Sequence, residues 1–251
     1  MSTDTTAAVS AREPELPGQI VVAIGGSAGI GLETARRARA EGAEVILTGR
    51  NPERLERAAA EVGARGTAAF DATDPAALDR FFDGLPAQID HIMVTGPGPY
   101  YAPLAELDRD QALRTFDHHQ WLAVAVAQHA VGRVRPGGTL VFMSGTGGRR
   151  RGTGLSLIGA ATAAMPALIA NLALEVAPIR VNLIAAGFVD TPLSATLLGD
   201  DLDARREQLR ATLPIRRVVG PEDIARLAVH LMTNTAVTGA TYDIDGGEQL
   251  V

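Results

Sequence analysis

A group of glycines directly after a short apolar run has the residue types and spacing of a phosphate-binding turn. The run is Ile20–Ile24, and Gly25, Gly29 and Gly31 follow it in the pattern G-x-x-x-G-x-G. From Leu32 onward, apolar side chains recur at helical spacing. Glycines let an anion approach the backbone of such a strand–turn–helix unit, and the first helical N–H groups then face it. The pattern predicts a phosphate cradle, although an ordinary glycine turn would share it.

A single arginine after the second apolar run bears on which dinucleotide such a cradle would hold. The run at 45–47 leads through Gly49 to Arg50. Dinucleotide sites commonly place a carboxylate at this point, where it binds the ribose 2′-hydroxyl. A guanidinium suits a 2′-phosphate instead, because it forms bidentate, charge-assisted hydrogen bonds. Arg50 therefore favours NADP over NAD, and the alternative is an arginine in an exposed turn.

Strands and helices alternate along the rest of the chain. Such alternation implies a parallel sheet covered on both faces. We therefore predict one Rossmann-like, doubly wound α/β domain of about seven strands in three layers over 18–251, after a disordered tail at 1–17. An irregular, partly helical insert is expected at 190–214. The predicted strands are 20–24, 45–47, 67–70, 89–94, 139–143, 180–184 and 241–244, and the predicted helices are 32–40, 52–62, 75–83, 108–131, 154–176 and 221–232.

Composition excludes several kinds of chemistry and partner. The net charge of −6 argues against nucleic-acid binding. The chain has no cysteine, so disulfides and thiolate catalysis are ruled out. It has no lysine either, since all 23 basic residues are arginine, so no step can use a lysine ammonium. No group of residues has the spacing of a metal site.

Two segments bear on membranes and export. Residues 152–174 carry no charge, but they include Thr162, Pro166 and Asn171, and we expect a buried, alanine-rich helix rather than a membrane span. Residues 1–18 lack the basic start and the apolar stretch of a signal peptide. We predict a cytoplasmic protein that does not bind membranes.

Several motifs, taken in order, resemble those of the short-chain dehydrogenase/reductase family over roughly residues 18–248. The turn at 25–31 looks like the family's cofactor loop, and the pair 49–50 looks like its NADP-preferring form. The resemblance implies NADP(H)-dependent hydride transfer between a carbonyl and an alcohol of a small-molecule substrate. The segments at 90–98, 179–182 and 186–191 are similar to the family's D-x-L-V-N-N-A-G, I-R-V-N and P-G-x-V-x-T motifs, and those at 221–225 and 238–247 to its C-terminal signature.

The resemblance also assigns an assembly and a set of cofactor contacts. It implies a homodimer or homotetramer that pairs through the helices at 108–131 and 154–176. Asp71 matches the family's aspartate that contacts adenine. The residues expected to contact the cofactor are Gly25, Ser27, Ala28, Gly29, Ile30, Gly31, Arg50, Asp71, Ala72, Gly96, Gly187, Val189 and Thr191.

All four positions of the family's catalytic group are altered in this chain. Ile158 stands where the family has the tyrosine that acts as general acid, and Thr162 stands at the lysine four residues on. Gly145 takes the place of the serine, and His119 that of the asparagine on the long helix. Isoleucine has no proton to give, and threonine has no charge with which to tune a neighbour's pKa.

Other side chains at the carboxyl edge of the sheet could take over proton transfer, because ligands of such sheets bind beyond the strand ends. Our candidate catalytic residues are Ser144, His119 and Tyr101, since histidine and tyrosine can act as general acids. The arginines at 149–151 could hold an acidic substrate, or they could form a solvated basic loop.

Three functions fit this combination. The first is an NADP-dependent oxidoreductase with an atypical proton donor, the second a catalytically silent NADP-binding protein or sensor, and the third a non-redox enzyme on the same fold. The lost tyrosine and lysine favour the silent protein over the oxidoreductase. We nevertheless adopt the oxidoreductase, because every cofactor-facing motif is retained.

Overall fold

The computed structural model describes residues 15–96 and 98–251, and a seven-stranded sheet forms their centre. The order across the sheet is β3-β2-β1-β4-β5-β6-β7, and every neighbouring pair is parallel. All strands therefore end at one edge of the sheet. The strands are β1 (Ile20–Ile24), β2 (Glu44–Gly49), β3 (Gly66–Ala69), β4 (Ile89–Val94), β5 (Val134–Gly145), β6 (Arg180–Ala186) and β7 (Thr241–Ile244).

Helices cover both faces of the sheet, so the predicted three-layer, Rossmann-like α/β fold is confirmed. One apolar core lies between the sheet and α3, α5 and α6, and a second lies between the sheet and α1, α2 and α9. The insert at 190–214, which was predicted to be irregular and partly helical, contains two helices, α7 and α8. The helices are α1 (Gly29–Ala40), α2 (Pro52–Val62), α3 (Pro75–Asp83), α4 (Arg109–Phe116), α5 (Leu122–Ala130), α6 (Ser156–Glu175), α7 (Pro192–Leu198), α8 (Leu202–Thr212) and α9 (Pro221–Thr233).

Local capping explains why α2 and α3 begin where the sequence predicts. The Asn51 side chain accepts a hydrogen bond from the Arg54 N–H at 2.8 Å, and the Asp74 side chain accepts one from the Ala76 N–H at 3.0 Å. A proline follows each cap at the first helical position, where its missing N–H costs little.

The long helix predicted at 108–131 is wrong in one respect, because it is interrupted. A π-helical turn at Asp117–Trp121 separates α4 from α5. Such turns insert one residue into a helix and frequently mark functional sites. The insertion shifts the apolar pattern by a single position, which periodicity alone does not reveal. His118 and His119 lie in this turn.

Helix α6 runs through Pro166 without a break. Proline has no N–H, so the carbonyl oxygen of Thr162, four residues earlier, loses its helical donor. By length and composition alone α6 could cross a membrane, because its apolar stretch has a mean hydropathy of 1.8. Of that stretch, 39% is buried inside the fold. The expectation of a buried helix is therefore wrong for its outer side, where Leu174 is 78% exposed. Its inner side packs on the sheet through Met165 and Ile169.

The domain begins before the predicted boundary at residue 18. Leu16 is fully buried in the core, and its N–H donates to the carbonyl oxygen of Glu41 at 2.8 Å. A lone leucine in a polar segment gives no periodicity, which is why the sequence pattern assigned it to the tail. The rest of the predicted tail, 1–14, lies outside the described residues.

Candidate functional site

The expected crevice lies at the carboxyl ends of the adjacent strands β1 and β4. From β1 the chain continues toward one edge of the sheet, through β2 and β3, and from β4 it continues toward the other edge, through β5 to β7. Ile24 and Val94 are partners at these two strand ends. The hydroxyl of Thr95, just after β4, donates to the carbonyl oxygen of Ile24 at 3.0 Å. The glycine turn after β1 and the loop after β4 are thus held side by side.

Two glycines of the turn have no room for a side chain. Gly25 has a φ of +85°, and a Cβ on it would lie 2.1 Å from the hydroxyl oxygen of Thr95. A Cβ on Gly31 would lie 2.4 Å from the carbonyl oxygen of Gly25. The first turn of α1 therefore packs directly on the loop backbone, which only glycine permits.

The start of α1 has the properties of an anion site. Ala28 precedes the helix, no side chain caps it, and the first turn holds no acidic residue. The first helical N–H groups have no intrahelical partner, and the positive end of the helix dipole lies beside them. Gly29 faces Thr191, whose Cβ would be 3.4 Å from a Cβ on the glycine. Gly29, half-buried Ile30 and Thr191 thus border a backbone cradle that fits a pyrophosphate.

The residues expected around the adenosine end of a cofactor also come together. A Cβ on Gly49 would lie 2.7 Å from the Ser27 hydroxyl oxygen, so the end of β2 packs on the glycine turn. Arg50 is exposed, and within residues 15–96 and 98–251 no carboxylate lies at ion-pair distance from it. This free guanidinium is available to a phosphate. Ala72 is half-buried, and Gly96, which lies two residues after the end of β4, is exposed.

Asp71 lies within electrostatic range of Arg50. Partial burial works against its ionisation, but hydrogen bonds from the Thr73 N–H at 3.0 Å and the Thr73 hydroxyl at 2.8 Å outweigh it. The charges of Arg50 and His118 act in the same direction, so the pKa of the Asp71 carboxyl is lowered. His118 thus lies within electrostatic range of Asp71, a relationship between distant segments that the sequence did not indicate.

The positions of the family's tyrosine and lysine are closed. Ile158 is 4% exposed and Thr162 is 5% exposed on α6. The Thr162 hydroxyl donates to the Ile158 carbonyl oxygen at 2.8 Å, within its own helix. A Cβ on Gly145, at the serine position, would lie 3.7 Å from the Thr162 methyl group. None of the three supplies an acid.

His119 and Ser144 are the polar side chains closest in sequence to the lost catalytic group. Nδ1 of His119 pairs with the carbonyl oxygen of Thr115 at 2.8 Å, so this nitrogen carries the proton and donates. Burial lowers the pKa of His119, although the Thr115 contact opposes the shift. The imidazole is therefore neutral at neutral pH. The Ser144 hydroxyl is buried and has no hydrogen-bond partner among the described residues.

The two adjacent tyrosines differ in their surroundings. The Tyr100 hydroxyl accepts a hydrogen bond from the Asp108 N–H at 3.1 Å, next to the start of α4. Tyr101 is 53% exposed, and partial burial of its phenol raises its pKa despite the opposing charge of Arg150, with Glu248 adding to the increase. The Tyr101 phenol thus keeps its proton at neutral pH.

The three loop arginines have different partners. Arg149 forms an ion pair with Asp243, and Arg150 forms one with Glu248 at 2.9 Å. Arg151 donates only to backbone carbonyl oxygens, those of residues 148 and 150, and no carboxylate of the described part of the chain pairs with it. Of the three arginines that could hold an acidic substrate or form a solvated basic loop, two are therefore paired with carboxylates of the chain itself. Arg150 and Arg151 line a cavity of about 470 Å³ beside the β5–α6 loop.

Glu248 and Arg205 are site residues that sequence reasoning missed. Glu248 is 8% exposed and pairs with both Arg150 and Arg205. Arg205 lies on α8 and Glu248 in the last turn, so no local pattern joins them. Among the described residues, no group of histidine, aspartate and glutamate side chains could hold a metal ion.

Comparison with known proteins agrees with this geometry. Residues 25–249 match the family model described as Enoyl-(Acyl carrier protein) reductase. The 4-formylbenzenesulfonate dehydrogenase TsaC1/TsaC2 of Comamonas testosteroni is 30% identical, over 92% of this chain and 98% of its own. The structure of MalC Reductase/Diels-Alderase from Malbranchea aurantiaca has a TM-score of 0.88 and 25% identity, covering 95% of this chain and 99% of its own.

A small-chain dehydrogenase in complex with NADPH is also similar, with a TM-score of 0.80 and 28% identity over 93% of this chain and 100% of its own. The chain belongs to the short-chain dehydrogenase/reductase family. The family predicted from its motifs is therefore confirmed, and the enzyme class is that of the oxidoreductases.

Proposed function

We propose that this protein is an NADP(H)-dependent oxidoreductase that transfers a hydride between the cofactor and a carbonyl or alcohol, using a proton donor other than the family's tyrosine. The observation that carries this proposal is the uncapped start of α1 together with the free guanidinium of Arg50. The former suits a pyrophosphate and the latter a 2′-phosphate. The NADPH-bound structural relative supports the choice of cofactor.

Each part of the crevice has a role toward the cofactor. Gly25, Ala28, Gly29, Ile30 and Gly31 present backbone to the pyrophosphate, and the buried side chain of Ser27 fixes that loop against β2. Arg50, Asp71, Ala72 and Gly96 surround the adenosine. Gly187, Val189 and Thr191 hold the nicotinamide half, which supplies the hydride when it is bound.

The proton donor is a separate question, and we assign it to Tyr101. Its phenol is protonated at neutral pH and lies within electrostatic range of Arg150 and Glu248 at the substrate end of the crevice. His119 has its Nδ1 proton engaged by Thr115, which leaves Nε2 as an acceptor that can hold a substrate hydroxyl or a water. The buried hydroxyl of Ser144 is a second donor for the substrate oxygen.

Binding and turnover experiments test the proposal in sequence. NADPH and NADH are titrated against the protein by fluorescence, and NADPH oxidation is then followed with a panel of ketones, quinones and enones. Tighter binding of NADPH than NADH, followed by turnover with at least one class, is the expected result. Failure of both nucleotides to bind at micromolar concentration would overturn the proposal.

A second function is favoured by one observation, the closed positions of Ile158 and Thr162. They remove the usual acid and its lysine, and the structural relative MalC is itself described as a Reductase/Diels-Alderase. A bound NADP(H) that serves a non-redox reaction, or a silent NADP(H) sensor, fits such a site. Saturable NADPH binding without oxidation by any carbonyl of the panel would select this alternative.

The substrate is a small molecule, and the surroundings of Arg151 favour an acidic one. Its guanidinium is the one of the three loop arginines that no carboxylate of residues 15–96 or 98–251 neutralises. We expect carbonyl substrates that carry a carboxylate to have a lower KM than their methyl esters. Equal KM values would contradict the acidic substrate.

We further propose a homodimer or homotetramer in the cytoplasm. The outer side of α6 is exposed and carries no charge before Glu175 at its end, and Trp121 in the π-helical turn is 53% exposed. Exposed apolar patches of this kind are typical of interaction surfaces. Sedimentation at micromolar concentration is expected to give a dimer or tetramer, and a monomer would contradict the assembly.

A further inference from the structure

One buried carboxylate connects three parts of the chain that frame the substrate end of the crevice. Oε1 of Glu248 accepts from Arg150 at 2.9 Å and also from Arg205. Oε2 accepts from the backbone N–H of Phe188 at 3.2 Å. These partners lie on the β5–α6 loop, on α8 and on the β6–α7 loop. A single side chain thus joins segments that are distant in sequence.

Glu248 packs closely against the β6–α7 loop. A Cβ on Gly187 would lie 2.7 Å from Oε2 of Glu248 and 2.7 Å from the Cβ of Asp245. The guanidinium carbon of Arg205 lies 5.9 Å from the ring centroid of Phe188, over its face. Phe188 is therefore held at its backbone by Glu248 and at its ring by Arg205.

Glu248 is not needed to close the C-terminal turn, because Asp245 already does so. The Asp245 carboxylate accepts from the Gly247 N–H at 2.8 Å and from the Gln249 N–H at 3.1 Å. The Gln249 side chain donates to it as well. This leaves Glu248 to make the long-range contacts. Its two arginine partners offset part of the cost of burying its charge.

We propose that Glu248 is the residue that positions the nicotinamide end of the cofactor site, by fixing the Phe188 backbone and fastening α8 and the β5–α6 loop around it. The inference rests on the proposed function, in which Gly187, Val189 and Thr191 hold the nicotinamide half. A second ion pair, Arg206 to Asp190 at 2.8 Å, fastens α8 to the same loop. Glu248 acts through Phe188 and touches no reacting atom, so it is a positioning residue.

The test separates the two ends of the cofactor site. Adenosine 2′,5′-bisphosphate probes the glycine turn and Arg50, whereas NADPH probes the whole crevice. Both are titrated by calorimetry against the wild type, Glu248→Gln, Arg205→Gln and Arg205→Lys. Asp223→Asn is the matched control, because Asp223 likewise accepts from an arginine and from a backbone N–H, but at the start of α9.

Glu248→Gln and Arg205→Gln are expected to weaken NADPH binding about ten-fold, as for the loss of one charge-assisted hydrogen bond. Binding of the bisphosphate stays within about two-fold for every variant, because its contacts lie at the other end of the crevice. Arg205→Lys keeps the charge and restores most of the NADPH affinity. Arg205 lies on a surface helix, so the Arg205 variants still test the proposal if Glu248→Gln fails to fold.

Two outcomes would overturn different statements. If the bisphosphate binds the wild type but Arg205→Gln and Glu248→Gln bind NADPH as the wild type does, the role of Glu248 is refuted and the proposed function stands. If neither the bisphosphate nor NADPH binds the wild type, the proposed function fails first. Equal weakening of both ligands would show a general loss of structure and would also refute the positioning role.

Discussion

The Thr162 hydroxyl donates a hydrogen bond to the carbonyl oxygen of Ile158, one turn earlier on α6, at 2.8 Å. In the family resemblance these are the positions of the lysine and the tyrosine. Where the resemblance implies two polar groups directed at the cofactor, this chain has an apolar side chain and a hydroxyl bound to its own helix. Any proton transfer must therefore come from another element.

Thr162→Lys is expected to destabilise the fold, because the position is 5% exposed and borders the same small cavity as Arg149, whose charge would repel an ammonium. We expect the free energy of unfolding in urea to fall by about 3 kcal/mol. Thr162→Val is the control, with a change under about 1 kcal/mol, since the hydroxyl bonds only to its own helix. A lysine variant as stable as the wild type would show that the position opens to the crevice.

Arg50→Gln is expected to weaken NADPH binding by about 10- to 100-fold, the effect of losing a charge-assisted contact to the 2′-phosphate. NADH binding should change little, since NADH lacks that phosphate. Calorimetric titration of both nucleotides measures the difference. Arg54→Gln, on the exposed first turn of α2, is the matched control. Parallel losses for both nucleotides would remove Arg50 as the residue that selects NADP.

Tyr101→Phe is expected to lower kcat about 100-fold or more, the usual contribution of a general acid, while the Kd for NADPH stays unchanged. Tyr100→Phe serves as the control, because that hydroxyl accepts from the Asp108 backbone and has no other hydrogen bond in the described chain. Steady-state kinetics with the best substrate of the panel gives both values. Full activity of Tyr101→Phe would leave Ser144 as the candidate donor, because Nε2 of the neutral His119 can only accept a hydrogen bond.

His91 on β4 is expected to make stability depend on pH. It is fully buried, and Nε2 pairs with the Gln19 side chain at 2.7 Å. Burial lowers its pKa from 6.5 to about 3, with the charge of Asp90 opposing and those of Arg135 and Arg180 reinforcing the shift. Between these values the unfolded chain binds the proton and the folded protein does not, so stability falls as pH decreases.

The loss due to His91 is expected to reach about 3 kcal/mol at pH 4. Urea unfolding at a series of pH values measures it. His91→Gln lacks the titrating group, so its stability should decline less steeply than that of the wild type below pH 6.5. Identical slopes for the two proteins would mean that His91 titrates normally in the folded state.

Much of the fold was predictable because its central strands, such as β1, β4 and β6, are buried on both faces and therefore appear as short apolar runs. β1 and β4 have the predicted bounds. β5 was predicted to begin at 139, because Pro136-Gly137-Gly138 has the composition of a turn. The structure keeps this segment in the strand, starting at Val134, through a register shift opposite β4 between Ile89 and His91.

The candidate site was less predictable, for a different reason. The glycine turn and Arg50 are local patterns, and the sequence contains all of their information. The ion pairs of Glu248 join residues 98 and 43 positions apart, and the approach of His118 to Asp71 depends on the π-helical turn. Contacts between distant segments cannot be read from the residue spacing of a single sequence.

Pro166 lies one turn after Thr162, the position that the family resemblance assigns to the lysine. Its ring leaves the backbone oxygen of residue 162 without a helical donor, and both residues border a small void of about 150 Å³ next to Gly145. Arg149 borders the same void, so its lining offers hydrogen-bond donors as well as this acceptor. A small molecule that both donates and accepts hydrogen bonds, such as water, suits such a lining.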